Sequence, residues 1–209
     1  MKNLTYLSLL GIITFLMACG SGKQTKTVAE NTDKKFWQYA KTPPMGWNSW
    51  DCYGPTVVEA EVKANADYMA EKLKPHGWEY IVVDIRWYIE NDKAGGYNEN
   101  DALYTMDEYG RFTPAVNRFP SAADGKGFKP LADYVHSKGL KFGIHLMRGI
   151  PVEAIKKNCP IKDSQYKASD IYSDSLQCGW LRDMKTIDTL KAGAQDYYNS
   201  IFNLYASWG

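Results

Sequence analysis

The sequence predicts an α/β fold with a parallel sheet, arranged as a (β/α)8 barrel whose site lies at the C-terminal ends of its strands. Three observations point there. Strand and helix signals alternate along the chain, an order that favours parallel strands joined by helical crossovers. Polar and aromatic residues gather at the ends of the strand-like runs: Trp50 and Asp51, then residues 84–88, then residues 145–148. The connections after the second and third runs are long, roughly 40 residues each, and connections of that length usually carry function.

Taken in order, residues 45–50 read as a short strand after the Pro43–Pro44 entry. Residues 57–73 carry Val58, Val62, Ala66, Met69, Ala70 and Leu73 near helical spacing and stop before Pro75 and Gly77. The run YIVVDIRWY, residues 80–88, is almost continuously apolar, as expected of a strand covered on both faces. Residues 128–138 predict a second amphipathic helix, closed by Gly139 at the position where a left-handed backbone ends a helix. Residues 140–147, LKFGIHLM, predict a third buried strand. Residues 191–207 predict a third helix with Ala194, Tyr197, Tyr198, Ile201, Phe202 and Tyr205 on one side. The chain of 209 residues thus supplies three strand–helix units, whereas a closed barrel needs eight and about 250 residues. Residues 36–209 read either as an open three-layer α/β domain or as the first three units of a larger TIM barrel.

The residues before position 36 belong to another kind of segment. Lys2 precedes an apolar run over residues 7–17 that is too short to span a membrane as a mature helix. The run ends in Leu16–Met17–Ala18–Cys19, which resembles the lipobox of bacterial lipoproteins. The resemblance implies a signal peptide over residues 1–18, an acyl anchor at Cys19 and a periplasmic or cell-surface location. Residues 19–35 are polar and aperiodic and read as a flexible tether.

Formal charge is +1, from 25 Lys and Arg against 24 Asp and Glu. So even a balance gives no electrostatic case for nucleic acid. Aromatic content is 14%, with 15 Tyr and 7 Trp, and aromatic planes suit the apolar faces of sugars. His76, His136 and His145 are not spaced as metal ligands, and no Cys–x–x–Cys pair occurs. In an exported compartment Cys159 and Cys178, which flank one long loop, could pair, leaving Cys52 free and buried.

The segments PPMGWNSWD, GWEYIVVD, GRFTPAVNRFPS and KPLADYVHSKGLKFGIH, in this order, resemble the N-terminal part of glycoside hydrolase family 27, the α-galactosidase family. The resemblance covers about residues 40–148 and is weaker through the third helix; GIHLMRGIP is similar to a bacterial subgroup. It implies a retaining mechanism that needs no cofactor, with one carboxylate as nucleophile and another as acid and base. In the family these stand at the ends of the fourth and sixth strands, which places both beyond Gly209. The resemblance therefore implies an exo-acting glycosidase acting on a glycan, of which this portion alone is inactive. A sugar-binding protein without catalysis and an inactive truncation product are the readings from other classes.

Trp50 matches the tryptophan that packs against the sugar near C6, and Asp84 the first of two adjacent acidic residues that accept sugar hydroxyls. His145 stands where many members have Tyr. The second acidic position is Ile85, followed by Arg86. An apolar side chain cannot accept a hydroxyl proton, and a hydroxyl buried against it unpaired costs about 1–3 kcal/mol. Ile85 thus favours a sugar lacking the 6-hydroxymethyl group, and β-L-arabinopyranose has galactose's shape without it. α-Galactosidase is the first expectation on family grounds and β-L-arabinopyranosidase the second. Arg86 or Arg148 would either pair with Asp84 or bind hydroxyls directly.

Overall fold

The first strand starts one residue after the Pro43–Pro44 pair, whose two residues have no amide N–H to give to a sheet. A computed structural model describes residues 38–39, 41–175, 179 and 181–209; Cys19, Cys178, the apolar run 7–17 and the tether lie outside the described residues. Residues 42–209 form one compact unit.

Three strands, β1 (Gly46–Asn48), β2 (Tyr80–Val83) and β3 (Lys141–Ile144), form a parallel sheet in that order. Gly46 pairs with Tyr80, and Tyr80 with Lys141, so the C-terminal ends of all three strands emerge on one side. Helix α1 (Trp50–Tyr53) is a single turn at the end of β1. Helix α2 (Glu59–Tyr68) leads to β2 and α3 (Lys129–Ser137) to β3, giving the successive parallel β/α units of a (β/α)8 barrel. The Glu61 side chain accepts the Val58 amide at 2.9 Å, which satisfies one free donor at the start of α2. The helical pattern expected to residue 73 leaves α-geometry at Met69, where a π-type turn runs to Leu73. Pro75 lacks the amide that would continue the ladder. Gly139 ends α3 at φ +69°, a conformation that costs glycine little.

The run 80–88 is not a strand throughout. Only its first four residues pair; Asp84 turns its amide to Ser49 Oγ at 2.9 Å, and Arg86 adopts φ +67°. The run is apolar because Ile85, Trp87 and Tyr88 enter the core from a turn. β3 is likewise shorter than the apolar run that announced it.

The main core packs Ile81 and Val83 of β2 with Val62 and Ala66 of α2 and with Leu131 and Val135 of α3. Trp87 lies at its centre, fully buried, with Tyr88, Phe128, Tyr205 and Trp208 edge-on at 5.2–6.2 Å. The loop after β3 holds elements the sequence did not announce. These are a two-residue antiparallel ribbon, β4 (Ile150–Pro151) with β5 (Met184–Lys185), and short helices α4 (Val152–Lys156) and α5 (Ala168–Ile171). Gly149 allows the ribbon to close, since a Cβ there would sit 2.2 Å from the Lys185 carbonyl oxygen. Together with α6 (Ala194–Ala206) these elements enclose a second core of Ile150, Ile161, Ile171, Ile187 and Ile201. Phe202, expected on the buried side of α6, is exposed, while Tyr197 and Ile201 are buried. No helix among the described residues is long and apolar enough to cross a membrane.

Candidate sugar-binding site

A cleft of about 480 Å³ opens where the three strands end. β1 and α1 contribute Asn48, Trp50 and Asp51, the turn after β2 contributes Asp84 and Ile85, and His145 follows β3. Tyr97 closes one side from the long connection between β2 and α3. Trp50 and Tyr97 also border a smaller, mainly apolar cavity of about 240 Å³ that includes Pro55.

Local backbone chemistry sets the first wall. Asn48 Oδ1 accepts the Trp50 amide at 2.8 Å, a side-chain turn that starts α1 and turns the tryptophan out of the sheet. Ser49 is fully buried, and its hydroxyl accepts the Asp84 amide, tying the end of β1 to the end of β2. The Trp50 and Tyr97 rings face each other with centroids 5.8 Å apart and planes tilted by 35°.

Asp84 is the anionic centre of the cleft. Its Oδ1 lies 3.0 Å from His145 Nδ1 and 2.6 Å from the Ile85 amide nitrogen. Burial pushes its pKa up, but hydrogen bonds from His145, the Ile85 amide and Asn48 outweigh this and hold the carboxyl below its ordinary value. Facing an ionised carboxylate, His145 carries its proton on Nδ1 and donates it. The His145 side chain is 44% exposed, so it is no core histidine. Its backbone is fixed at both polar groups: the amide donates to the Val83 carbonyl at 2.8 Å, and the carbonyl accepts Trp87 Nε1–H at 3.1 Å. Ile85 lines the cleft with an apolar side chain that is 3% exposed.

Four of the five expected binding residues, Trp50, Asp84, Ile85 and His145, thus meet at one place. Arg148 is exposed and does not line the cleft. Neither arginine pairs with Asp84. Arg86 is fully buried: its Nε lies 2.8 Å from Asp92 Oδ2 and 3.7 Å from Asp183 Oδ2, and its Nη2 donates to the Asn98 carbonyl at 2.7 Å. Asp183 also accepts from Tyr88 and Tyr104, at 3.2 and 2.6 Å. Cys52 is exposed, against the expectation of a buried residue, because α1 has no buried positions. Cys159 is buried with a free thiol; Cys178, its expected partner, is outside the described residues.

Tyr97, Asn48 and Ser49 were not identified from sequence. The Asn–x–Trp spacing was a readable signal for the turn at Asn48. Tyr97 follows two glycines in an aperiodic stretch and offered none.

Known proteins share the fold and much of the sequence around this cleft. Residues 42–188 match the sequence model of a family described as alpha galactosidase A. An alpha-galactosidase A from Cellvibrio japonicus is 43% identical over 113 residues, 54% of this chain and 23% of that protein. An alpha-galactosidase from Cyamopsis tetragonoloba is 35% identical over 157 residues, 68% of this chain and 34% of that protein. The crystal structure of a family 27 β-L-arabinopyranosidase from Geobacillus stearothermophilus, in complex with arabinose, is 59% identical. It superposes with a TM-score of 0.80, covering 83% of this chain and 40% of that one. The chain thus spans about a quarter to two fifths of the length of these relatives.

Proposed function

The chain belongs to the α-galactosidase family of glycoside hydrolases, family 27, and on that premise we propose that its cleft holds the terminal pyranose of a glycan and prefers β-L-arabinopyranose to α-D-galactose. Ile85 carries this reading. It lines the cleft beside Asp84, where an acidic neighbour would accept the 6-hydroxyl of galactose, and its apolar surface leaves such a hydroxyl unpaired. The likeness to a β-L-arabinopyranosidase supports it. Asp84 accepts ring hydroxyls, His145 orients it, and Trp50 covers the apolar face of the sugar. The α-galactosidase reading is the second, favoured by the names of the curated relatives.

The cleft's own residues are assigned to binding. The nucleophile and the acid/base of a retaining mechanism are assigned to the fourth and sixth strands of the barrel, which follow these three in the family's order, so residues 1–209 alone turn over neither glycoside. The leader and Leu16–Met17–Ala18–Cys19 support export and anchoring through Cys19; Cys19→Ser should release the protein from the membrane fraction.

The test is hydrolysis of p-nitrophenyl β-L-arabinopyranoside and p-nitrophenyl α-galactoside by the full-length protein. A kcat/KM about 10–200-fold higher on the arabinopyranoside is expected, the range one group against an apolar wall supplies. A ratio favouring the galactoside would restore the α-galactosidase reading, and turnover of neither would remove both.

A further inference from the structure

Tyr97 is the one wall of the cleft that comes from neither a strand end nor the turn after it, and the way it is held is unusual. The segment carrying it closes around a single buried cation. Asp92 faces Arg86 Nε through Oδ2, and its Oδ1 accepts the Asn98 amide at 3.0 Å. Asn98 returns its carbonyl to Arg86 Nη2 and its side-chain amide to the Asn91 carbonyl at 3.0 Å. The guanidinium carbon lies 4.9 Å from the centre of the Tyr97 ring. The same ring adjoins that of Trp50, and both line the cleft.

Arg86 is an odd choice for this task. It sits at φ +67°, a region that non-glycine residues occupy at a cost and that gathers at functional sites. Its Nη1 has no hydrogen-bond partner among the described residues, and its contact with Asp92 is an ion pair without hydrogen-bond alignment. A buried, imperfectly satisfied arginine is poor economy for stability alone. Tyr97 in turn is only half-buried: it packs against the main core and borders both the cleft and the smaller cavity beyond Trp50.

We propose that Tyr97 is a sugar-contacting residue, whose ring adjoins that of Trp50 to form one continuous aromatic wall beside the bound pyranose, and that Arg86 is the positioning residue that locks its ring in place. A galacto-configured pyranose has an apolar patch of C–H groups that suits an aromatic face, and a ring already held by a neighbouring guanidinium loses less freedom when the sugar arrives. The proposal rests on the cleft being the sugar site.

The test is isothermal titration of the full-length protein with L-arabinose. Tyr97→Phe should keep the affinity within about twofold and Tyr97→Ala should lose roughly five- to tenfold, because the ring face and not the hydroxyl makes the contact. Arg86→Met should weaken binding about threefold in the natural background and leave it unchanged in the Tyr97→Ala background, and Arg86→Lys should recover part of the loss. Unaltered affinity in Tyr97→Ala, or equal losses in Tyr97→Phe and Tyr97→Ala, would overturn the contact. A loss on Arg86→Met of the same size in both backgrounds would overturn the positioning role, and if Arg86→Met does not fold, Arg86→Lys in the two backgrounds decides it. If the unsubstituted protein shows no saturable binding of L-arabinose, the assignment of the cleft falls and this proposal with it.

Discussion

In the proposed site Ile85 and Asp84 are consecutive residues with opposite duties, one refusing a hydroxyl and the other accepting several. Ile85→Asp should move the ratio of kcat/KM toward the galactoside by about tenfold or more, measured on the two p-nitrophenyl substrates; no movement would mean that this side chain does not meet C6. Asp84 gives a prediction in pH. Its folded-state pKa is lowered, so its ionised form contributes stability above the unfolded value, and this is lost as pH falls through the folded value. L-Arabinose affinity should therefore stay level from pH 7 past the ordinary carboxylate value of about 4 and weaken only below it. Asp84→Asn should abolish that acid limb along with most of the binding. At this scale the sequence was informative wherever a cleft-lining side chain stands at or beside a strand end, as Trp50, Asp84 and His145 do. It was silent on Tyr97, whose place depends on a loop folding round Arg86, and it misassigned Arg86 because a charge in an apolar run gives no sign of having partners as distant as Asp183.

The strand-to-strand connections decide how well those residues are held. Trp87 lies in the turn after β2 yet fixes the residue after β3, through its indole N–H on the His145 carbonyl. Trp87→Ala should cost about 3–5 kcal/mol in urea unfolding, the usual range for deleting a buried aromatic. Trp87→Phe should retain much of the packing while giving up the hydrogen bond, worth about 1 kcal/mol, and should weaken sugar binding more than its stability loss explains. Both crossover helices were legible from apolar residues near helical spacing, and the parallel strands from short runs at a Pro–Pro entry or of mostly apolar residues. The second strand was read too long, since a continuous apolar run looks the same whether it pairs in a sheet or turns back into a core. The β4–β5 ribbon was invisible for the opposite reason: two residues per strand establish no period.

Across the whole of residues 42–209, two cores are joined by shared side chains, with Met106 and Tyr205 packing against both. Asp183 adds a polar tie, drawing Tyr88, Tyr104 and Arg86 from one part of the chain onto a residue beside β5. Burial raises the Asp183 pKa despite the bonds from Tyr104, the charge of Arg86 and the bond from Tyr88. Asp183→Asn, which keeps the shape, should therefore be milder than Asp183→Ala, which leaves buried donors unmet and should cost about 3–5 kcal/mol. Both variants should unfold in one transition, with circular dichroism and fluorescence coincident. The thiol of Cys52, meanwhile, is exposed in the single turn that begins at Trp50, whereas Cys159 is buried. With Cys178 replaced by Ser, a maleimide dye on Cys52 would sit two residues from Trp50, and a change in its emission on adding saccharide is the expected report of a filled cleft.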